Sequence, residues 1–182
     1  MLIPCRDIAL IIENELRALV KTRYASSLHN NITLVAYLLG ESPEQLSFVA
    51  IKKRLAERLG IGFDFTHYTQ IPQPHEFAAL LHNKITKPES TGVIIQHPLP
   101  EEYDIETIYS AVPSSKEIEG HKADSRFHFP LSLAVLTGIK YIFGYHQKNK
   151  SIDSNIIVNF ENDKPFFKQV LQNKKIVIAG RG

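Results

Sequence analysis

The chain has 182 residues, of which 43% are hydrophobic and 22% charged, and its formal net charge is +2. These are the proportions of an ordinary globular protein, long enough for one well-buried domain or for one domain and part of another. The charge is too small to point to nucleic acid or an anionic membrane as a partner. The single cysteine, Cys5, excludes an internal disulfide and a cysteine-built metal cluster, and it fits a reducing compartment.

At the N-terminus, Pro4, Arg6 and Asp7 stand where a signal peptide needs its apolar stretch. No apolar run approaches the roughly 20 residues that span a bilayer, so a cytoplasmic location is expected. Ile8, Ile11, Ile12, Leu16, Leu19 and Val20 recur at helical spacing, which predicts a helix over 7–25. The nearly unbroken apolar run TLVAYLL, residues 33–39, reads as a strand covered on both faces. Ser42 and Pro43 then provide an N-cap and a first helical residue, and a helix over 44–59 should stop at Gly60.

Phe63, Phe65 and Tyr68 hint at a short strand, followed by a helix over 75–83. GVIIQH, residues 92–97, reads as another buried strand ending in Pro98-Leu99-Pro100. Helices are expected over 104–111 and 131–143, with a polar surface loop over 145–153. A strand over 155–160, a helix over 165–172 and a last buried strand over 174–179 complete the reading. Strands alternating with helices predict an α/β fold, a mainly parallel sheet flanked by helices. The final strand runs into Gly180-Arg181-Gly182, as the first strand of a Rossmann-like domain does.

Several residues have chemistry to offer. Phe48 and Lys52 lie one helical turn apart, and Phe48, Ile51, Leu55 and Leu59 read as an apolar stripe beside the lysine. Lys52 then either has its charge partly desolvated, which suits proton transfer, or snorkels to water along the stripe. Gln96 ends a strand where parallel sheets place ligand contacts, although a polar strand end needs no ligand. The loop Lys116-Glu117-Ile118-Glu119-Gly120 reads in isolation as a solvated turn. His121, His128 and His146 have no metal-ligand spacing, and no role is assigned to them.

Taken in order, these pieces resemble one family, the methylenetetrahydrofolate dehydrogenase/cyclohydrolases. GESPEQLSFVAIKK is similar to the family's Gly-Asp-Asp-Pro turn and the helix bearing its Tyr-x-x-x-Lys pair. TGVIIQHPLP resembles the strand Gly-Ile-Leu-Val-Gln-Leu-Pro-Leu-Pro, and VPSSKEIEG the loop Ile-x-Pro-x-Lys-Asp-Val-Asp-Gly. KKIVIAGRG resembles the strand and Gly-Arg-Ser turn that open the NADP-binding domain. The resemblance implies a folate-binding catalytic domain over 1–144, then over 145–182 a linker and the start of an incomplete NAD(P)-binding Rossmann domain.

The resemblance also implies the roles. Lys52 corresponds to the catalytic lysine that assists opening of the methenyl bridge by water, and Gln96 holds that lysine in position. Glu119 takes the place of the carboxylate that pairs with the pterin, and Phe48, Ile95 and His97 complete the folate contacts. Gly180, Arg181 and Gly182 are the first contacts to the NADP phosphates. The expected partners are a reduced folate and a second copy in a homodimer, with no nucleic acid, membrane or metal. The activity so implied is NADP-dependent oxidation of 5,10-methylenetetrahydrofolate, followed by hydrolysis to 10-formyltetrahydrofolate. Three departures keep a second expectation open, a non-catalytic folate-binding or interaction module: Phe48 replaces tyrosine, Glu119 replaces aspartate, and Pro130-Leu131-Ser132-Leu133 stands for Pro-Cys-Thr-Pro. Gly182 also stands in place of the family's serine.

Overall fold

The computed structural model describes residues 2–24, 32–86 and 90–177. They divide into two compact units, one from Glu13 to Pro130 and one formed by the residues up to Ile12 with those from Leu131 onward. Helix α1 (Cys5–Tyr24) crosses this division. It is followed by β1 (Thr33–Leu39), α2 (Pro43–Leu59), β2 (Gly62–Tyr68), α3 (Pro74–Ile85), β3 (Gly92–Ile95) and the short α4 (Ile105–Ser110). The three strands are parallel in the order β2-β1-β3, the expected class of sheet flanked by helices.

Local signals account for the boundaries. The Ser42 hydroxyl accepts a hydrogen bond from the Gln45 N–H, and Pro43 opens α2 where a missing N–H costs nothing. Gly60 ends the helix at φ 72°, a conformation open to glycine. Along β1, Val35, Tyr37 and Leu39 face one side and pack with Phe77, Leu81 and Ile85 of α3. Ala36 and Leu38, both fully buried, face the other side. With β2 and β3 on opposite sides of β1, the connections diverge at the carboxyl ends of β1 and β3. Open parallel sheets bind ligands in such a place.

The free edge of β3 is covered by a loop rather than a fourth strand. Val93 donates its N–H to Lys116 O at 2.9 Å and forms a parallel bridge with Glu117. Gly92 allows this close approach, because a Cβ there would stand 3.0 Å from the Ile118 side chain. Gly120 turns the loop at φ +82°, and its missing Cβ would stand 2.8 Å from the Phe129 nitrogen.

The other unit contains α5 (Pro130–Lys140) from Leu131 on, a π-helical turn Tyr141–Tyr145, two 3-10 turns (His146–Lys148 and Ser154–Ile156) and α6 (Phe160–Leu171). Its core gathers Ile8, Tyr145 and Ile156, with Ile11, Ile12 and Tyr141 packed against them. The strand expected over 155–160 is not formed. Asp153 accepts from the Asn155 N–H and starts a 3-10 turn, and Asn159 accepts from the Asn162 N–H and starts α6. These side-chain caps override the β-branched run between them. The helix expected over 165–172 therefore begins earlier and holds Pro165 inside it.

The strand expected over 174–179 is corrected over its described part. Among the described residues, 174–177 pair with no strand, and Ile176 and Val177 are 53% and 80% exposed. Gly180, Arg181 and Gly182 lie outside the described residues. Among the described residues, no helix is long and apolar enough to cross a membrane.

Candidate active site

Lys52 reaches the site because of the face on which α2 is buried. The buried residues of the helix are Gln45, Val49, Ala56 and Leu59, and Lys52 falls between Val49 and Ala56 at the same three-four spacing. The expected stripe of Phe48, Ile51, Leu55 and Leu59 is thus corrected, since Phe48 is 57% and Ile51 50% exposed. Gln45 explains the rotation. Its side-chain amide donates to Pro98 O at 2.8 Å, tying the start of α2 to the turn after β3. Lys52 therefore lies within the buried stripe, with Phe48 one turn earlier on the open side.

Gln96 directly follows β3, and its backbone N–H extends the sheet pairing by donating to Tyr37 O at 2.9 Å. Its side-chain amide donates to His97 O at 2.9 Å, which leaves Oε1 free to accept from Lys52 Nζ at 3.1 Å. The His97–Pro98 peptide is cis. Glu119 approaches from the edge loop. Its Oε1 lies 3.6 Å from Lys52 Nζ, while Oε2 accepts from the Ile95 N–H at 3.2 Å and the Tyr109 hydroxyl at 3.4 Å. The Glu119 side chain thus occupies the position that a neighbouring strand's carbonyl would take on β3. Ile95 takes part through its backbone, because its side chain is in the core.

The loop is held from beneath by a second glutamate. Glu117 is buried, and its Oε1 accepts the N–H groups of Glu119 at 2.7 Å and His121 at 3.2 Å. Burial alone would raise the Glu117 pKa. The Ser125 hydroxyl and the N–H donors of Glu119, His121 and Gly120 outweigh it and hold the carboxyl below its ordinary range. Glu119 has the opposite balance. Burial pushes it above the ordinary range, against the opposing pull of the Lys52 charge and its hydrogen-bond donors.

Beside Glu119, four rings pack together. His97 and His121 stack at 4.6 Å between centroids, Tyr109 lies 4.3 Å from His121, and Phe129 meets His121 edge-on at 5.0 Å. Burial depresses the pKa of both histidines. For His97, the charges of His121 and Lys52 depress it further, and for His121 the Glu117 carboxylate partly opposes the fall.

Lys52, Gln96 and Glu119 are thus brought together, His97 lies beside them, and Phe48 stays on the open side of α2. The sequence reading missed Tyr109, Glu117 and His121. Tyr109 sits on a short helix with no motif of its own. Glu117 read as part of a solvated turn and His121 had no role assigned, because β3 and the rings that cover this loop, His97 and Tyr109, come from other elements. The one available signal was the odd density of charge next to Gly120.

Residues 3–119 match the family model described as tetrahydrofolate dehydrogenase/cyclohydrolase, catalytic domain. Over 143 residues the chain is 27% identical to the bifunctional protein FolD of Helicobacter pylori strain HPAG1, covering 79% of this chain and 47% of that protein. Among solved structures, the bifunctional FolD methylenetetrahydrofolate dehydrogenase/cyclohydrolase of Campylobacter jejuni aligns with a TM-score of 0.63 at 21% identity. That alignment covers 72% of this chain and 51% of the other. The Trypanosoma brucei methylenetetrahydrofolate dehydrogenase-cyclohydrolase, complexed with NADP cofactor and inhibitor, aligns with a TM-score of 0.58 at 18% identity, over 64% of this chain and 39% of that one. At these identities the structural likeness speaks to fold. The chain spans about half the length of the curated relatives it matches.

Proposed function

This chain belongs to the tetrahydrofolate dehydrogenase/cyclohydrolase family, and on that premise we propose that Lys52, Gln96 and Glu119 form a cluster that binds a reduced folate and hydrolyses its methenyl bridge. The observation that carries the reading is the placement of Lys52 Nζ, 3.1 Å from Gln96 and 3.6 Å from Glu119, at the carboxyl end of β3. In the reaction, water adds to the bridging carbon of the 5,10-methenyl cation. The carbon–N5 bond then breaks, leaving a formyl group on N10, and one proton is released. Lys52 assists proton movement at the bridge, Gln96 fixes the lysine, and Glu119 faces both the lysine and the pterin. Phe48, Ile95 and His97 border the bound folate.

Oxidation of 5,10-methylenetetrahydrofolate is the second activity we propose for the protein, with NADP as the hydride acceptor. NADP is bound by the trypanosomal relative. The residues proposed to meet its phosphates, Gly180, Arg181 and Gly182, lie outside the described residues. Hydride transfer is therefore assigned to no side chain of the described residues. A division of labour at residue 144 and a homodimer belong to the same proposal and rest on the sequence resemblance, and a cytoplasmic location joins them on the N-terminal residues and the apolar runs of the sequence. A second reading, a folate-binding module without turnover, is favoured by Phe48, which brings no hydroxyl to the open side of Lys52.

Calorimetric titration of the chain with 5-formyltetrahydrofolate, beside a spectroscopic assay of methenyltetrahydrofolate hydrolysis, separates the two. Binding by the parent and by Lys52→Ala, with hydrolysis by the parent alone, is the expected result. Binding by both without Lys52-dependent hydrolysis selects the module, and no binding by either overturns both readings.

A further inference from the structure

Tyr109 takes no direct part in the proposed reaction, yet it is a fully enclosed polar neighbour of the Glu119 carboxylate. The side chain is 3% exposed, and its hydroxyl stands 3.4 Å from Glu119 Oε2 and 3.3 Å from His97 Nε2. A carboxylate only accepts, so the phenol donates to Glu119 and its oxygen accepts from the His97 Nε2–H. That order satisfies all three groups with His97 neutral, and burial favours the neutral form of His97. Burial and the nearby carboxylates raise the Tyr109 pKa, which keeps the proton on the phenol.

We propose that Tyr109 is a positioning residue for Glu119: with its ring packed against His121 and its hydroxyl beside His97, it holds one carboxylate oxygen so that the other faces Lys52. The inference rests on the reading of Lys52, Gln96 and Glu119 as the reacting cluster. A glutamate side chain has three rotatable bonds, and its head must be tied at more than one point to stay in a single pose. The Ile95 N–H reaches Oε2 from the strand edge, and the Tyr109 hydroxyl reaches the same oxygen from α4. Two donors from different elements fix the plane of the carboxylate, and Oε1 is thereby turned toward α2.

The ring cluster fixes Tyr109 in turn. His121 lies 4.3 Å and His97 6.0 Å from its ring centroid. His121 itself is anchored by its N–H on Glu117 and by the edge of Phe129. The ionisable groups facing Glu119 are Lys52 from α2, Tyr109 from α4 and Glu117 from its own loop. His97 and His121 face Tyr109. Removing the hydroxyl therefore changes one donor to Glu119 and no charge.

The test is a carboxyl titration of Tyr109→Phe, followed by NMR with 13C-labelled glutamate, in which Glu119→Gln identifies the resonance. Loss of a donor to the charged form should raise the Glu119 midpoint by about 0.5 to 1 pH unit. In the hydrolysis assay, kcat should fall severalfold with KM little changed, and the acid limb of the profile should move up with the midpoint. His97→Phe keeps a ring in the cluster while removing its N–H, and it should move the midpoint the same way by less. It also supplies the reading if Tyr109→Phe loses its fold. An unmoved Glu119 midpoint in a folded Tyr109→Phe protein overturns the proposal whatever the activity. A midpoint that moves in a protein without any hydrolysis supports the positioning role of Tyr109 and removes the catalytic reading beneath it.

Discussion

Two ion pairs, one in each unit, are built in opposite ways. In the helical unit, Lys140 Nζ lies 2.6 Å from Asp163 and 3.2 Å from Ile157 O, with the lysine and aspartate side chains only 13% and 16% exposed. In the sheet-bearing unit, Lys52 is 36% exposed and stands 3.6 Å from Glu119. Two tyrosines repeat the contrast, for Tyr145 reaches Asp153 at 2.7 Å whereas Tyr109 reaches Glu119 at 3.4 Å. Short contacts of the first kind are strong hydrogen bonds already complete within the chain. The longer ones at the end of β3 leave room for an incoming group to tighten or replace them, as sites without ligand often do. A closed pair serves the fold, and a loose pair at a sheet's ligand-binding end is available for chemistry.

The contrast needs the loose pair to sit on a rigid support, and Gly120→Ala attacks that support. The new Cβ would stand 2.8 Å from the Phe129 nitrogen and 2.9 Å from the His128 carbonyl carbon, at a φ of +82°. A loss of about 3 kcal/mol is expected, because neither backbone atom can give way cheaply. Urea denaturation measures it, and a loss below about 1 kcal/mol would show that the loop yields.

Lys140→Met comes next. It leaves Asp163 without its cation, for an expected loss of about 2 to 3 kcal/mol in the same measurement. Hydrolysis of methenyltetrahydrofolate should be unaffected.

Acidification probes the ring cluster and has a smaller effect. His97 and His121 are both depressed from 6.5, so the unfolded chain takes up their protons first. Their contribution to stability is fully present above about pH 6.5 and is lost as the pH falls toward their folded values. Glu119, raised from 4.5, acts with the opposite sign nearer the carboxylate range, and Glu117, lowered from 4.5, adds to the loss there. The melting temperature should therefore drop between pH 6.5 and 5.5, and it should drop less in a His97→Leu variant.

Lys52→Ala should have the smallest effect on stability, within about 0.5 kcal/mol, since its ion pair is long and partly exposed. If it costs as much as Lys140→Met, the distinction between closed and open pairs fails.

Legibility followed the same division. In the sheet-bearing unit, the apolar run of β1, the Ser42 cap and the Gly60 stop are local signals, and the structure has them where the residues place them. In the helical unit, the run from Asn155 to Phe160 carried strand-like residues, but Asp153 and Asn159 captured the nearby N–H groups first. Position on a helix and at a strand end marked Lys52 and Gln96 only as candidates, with snorkelling and a plain polar strand end also open to them, and their pairing, like the part of Glu119, came from the family resemblance. Tyr109 was invisible, because its importance depends on Glu119 and His97, which no sequence spacing brings to it.

The amino-acid sequence by itself determined the α/β class, the length of β1, the limits of α2 and the presence of a lysine and a glutamine near a strand end. Those features rest on period, caps and short-range hydrogen bonds, all of which act between near neighbours. Only the tertiary structure decided which face of α2 turns inward, because that depends on Gln45 reaching Pro98 across the fold. It also decided that Glu119 would replace a strand at the edge of β3 and that His97, Tyr109 and His121 would meet beside it. A carboxylate finds its donors in space, and the chain between them carries no mark of the meeting.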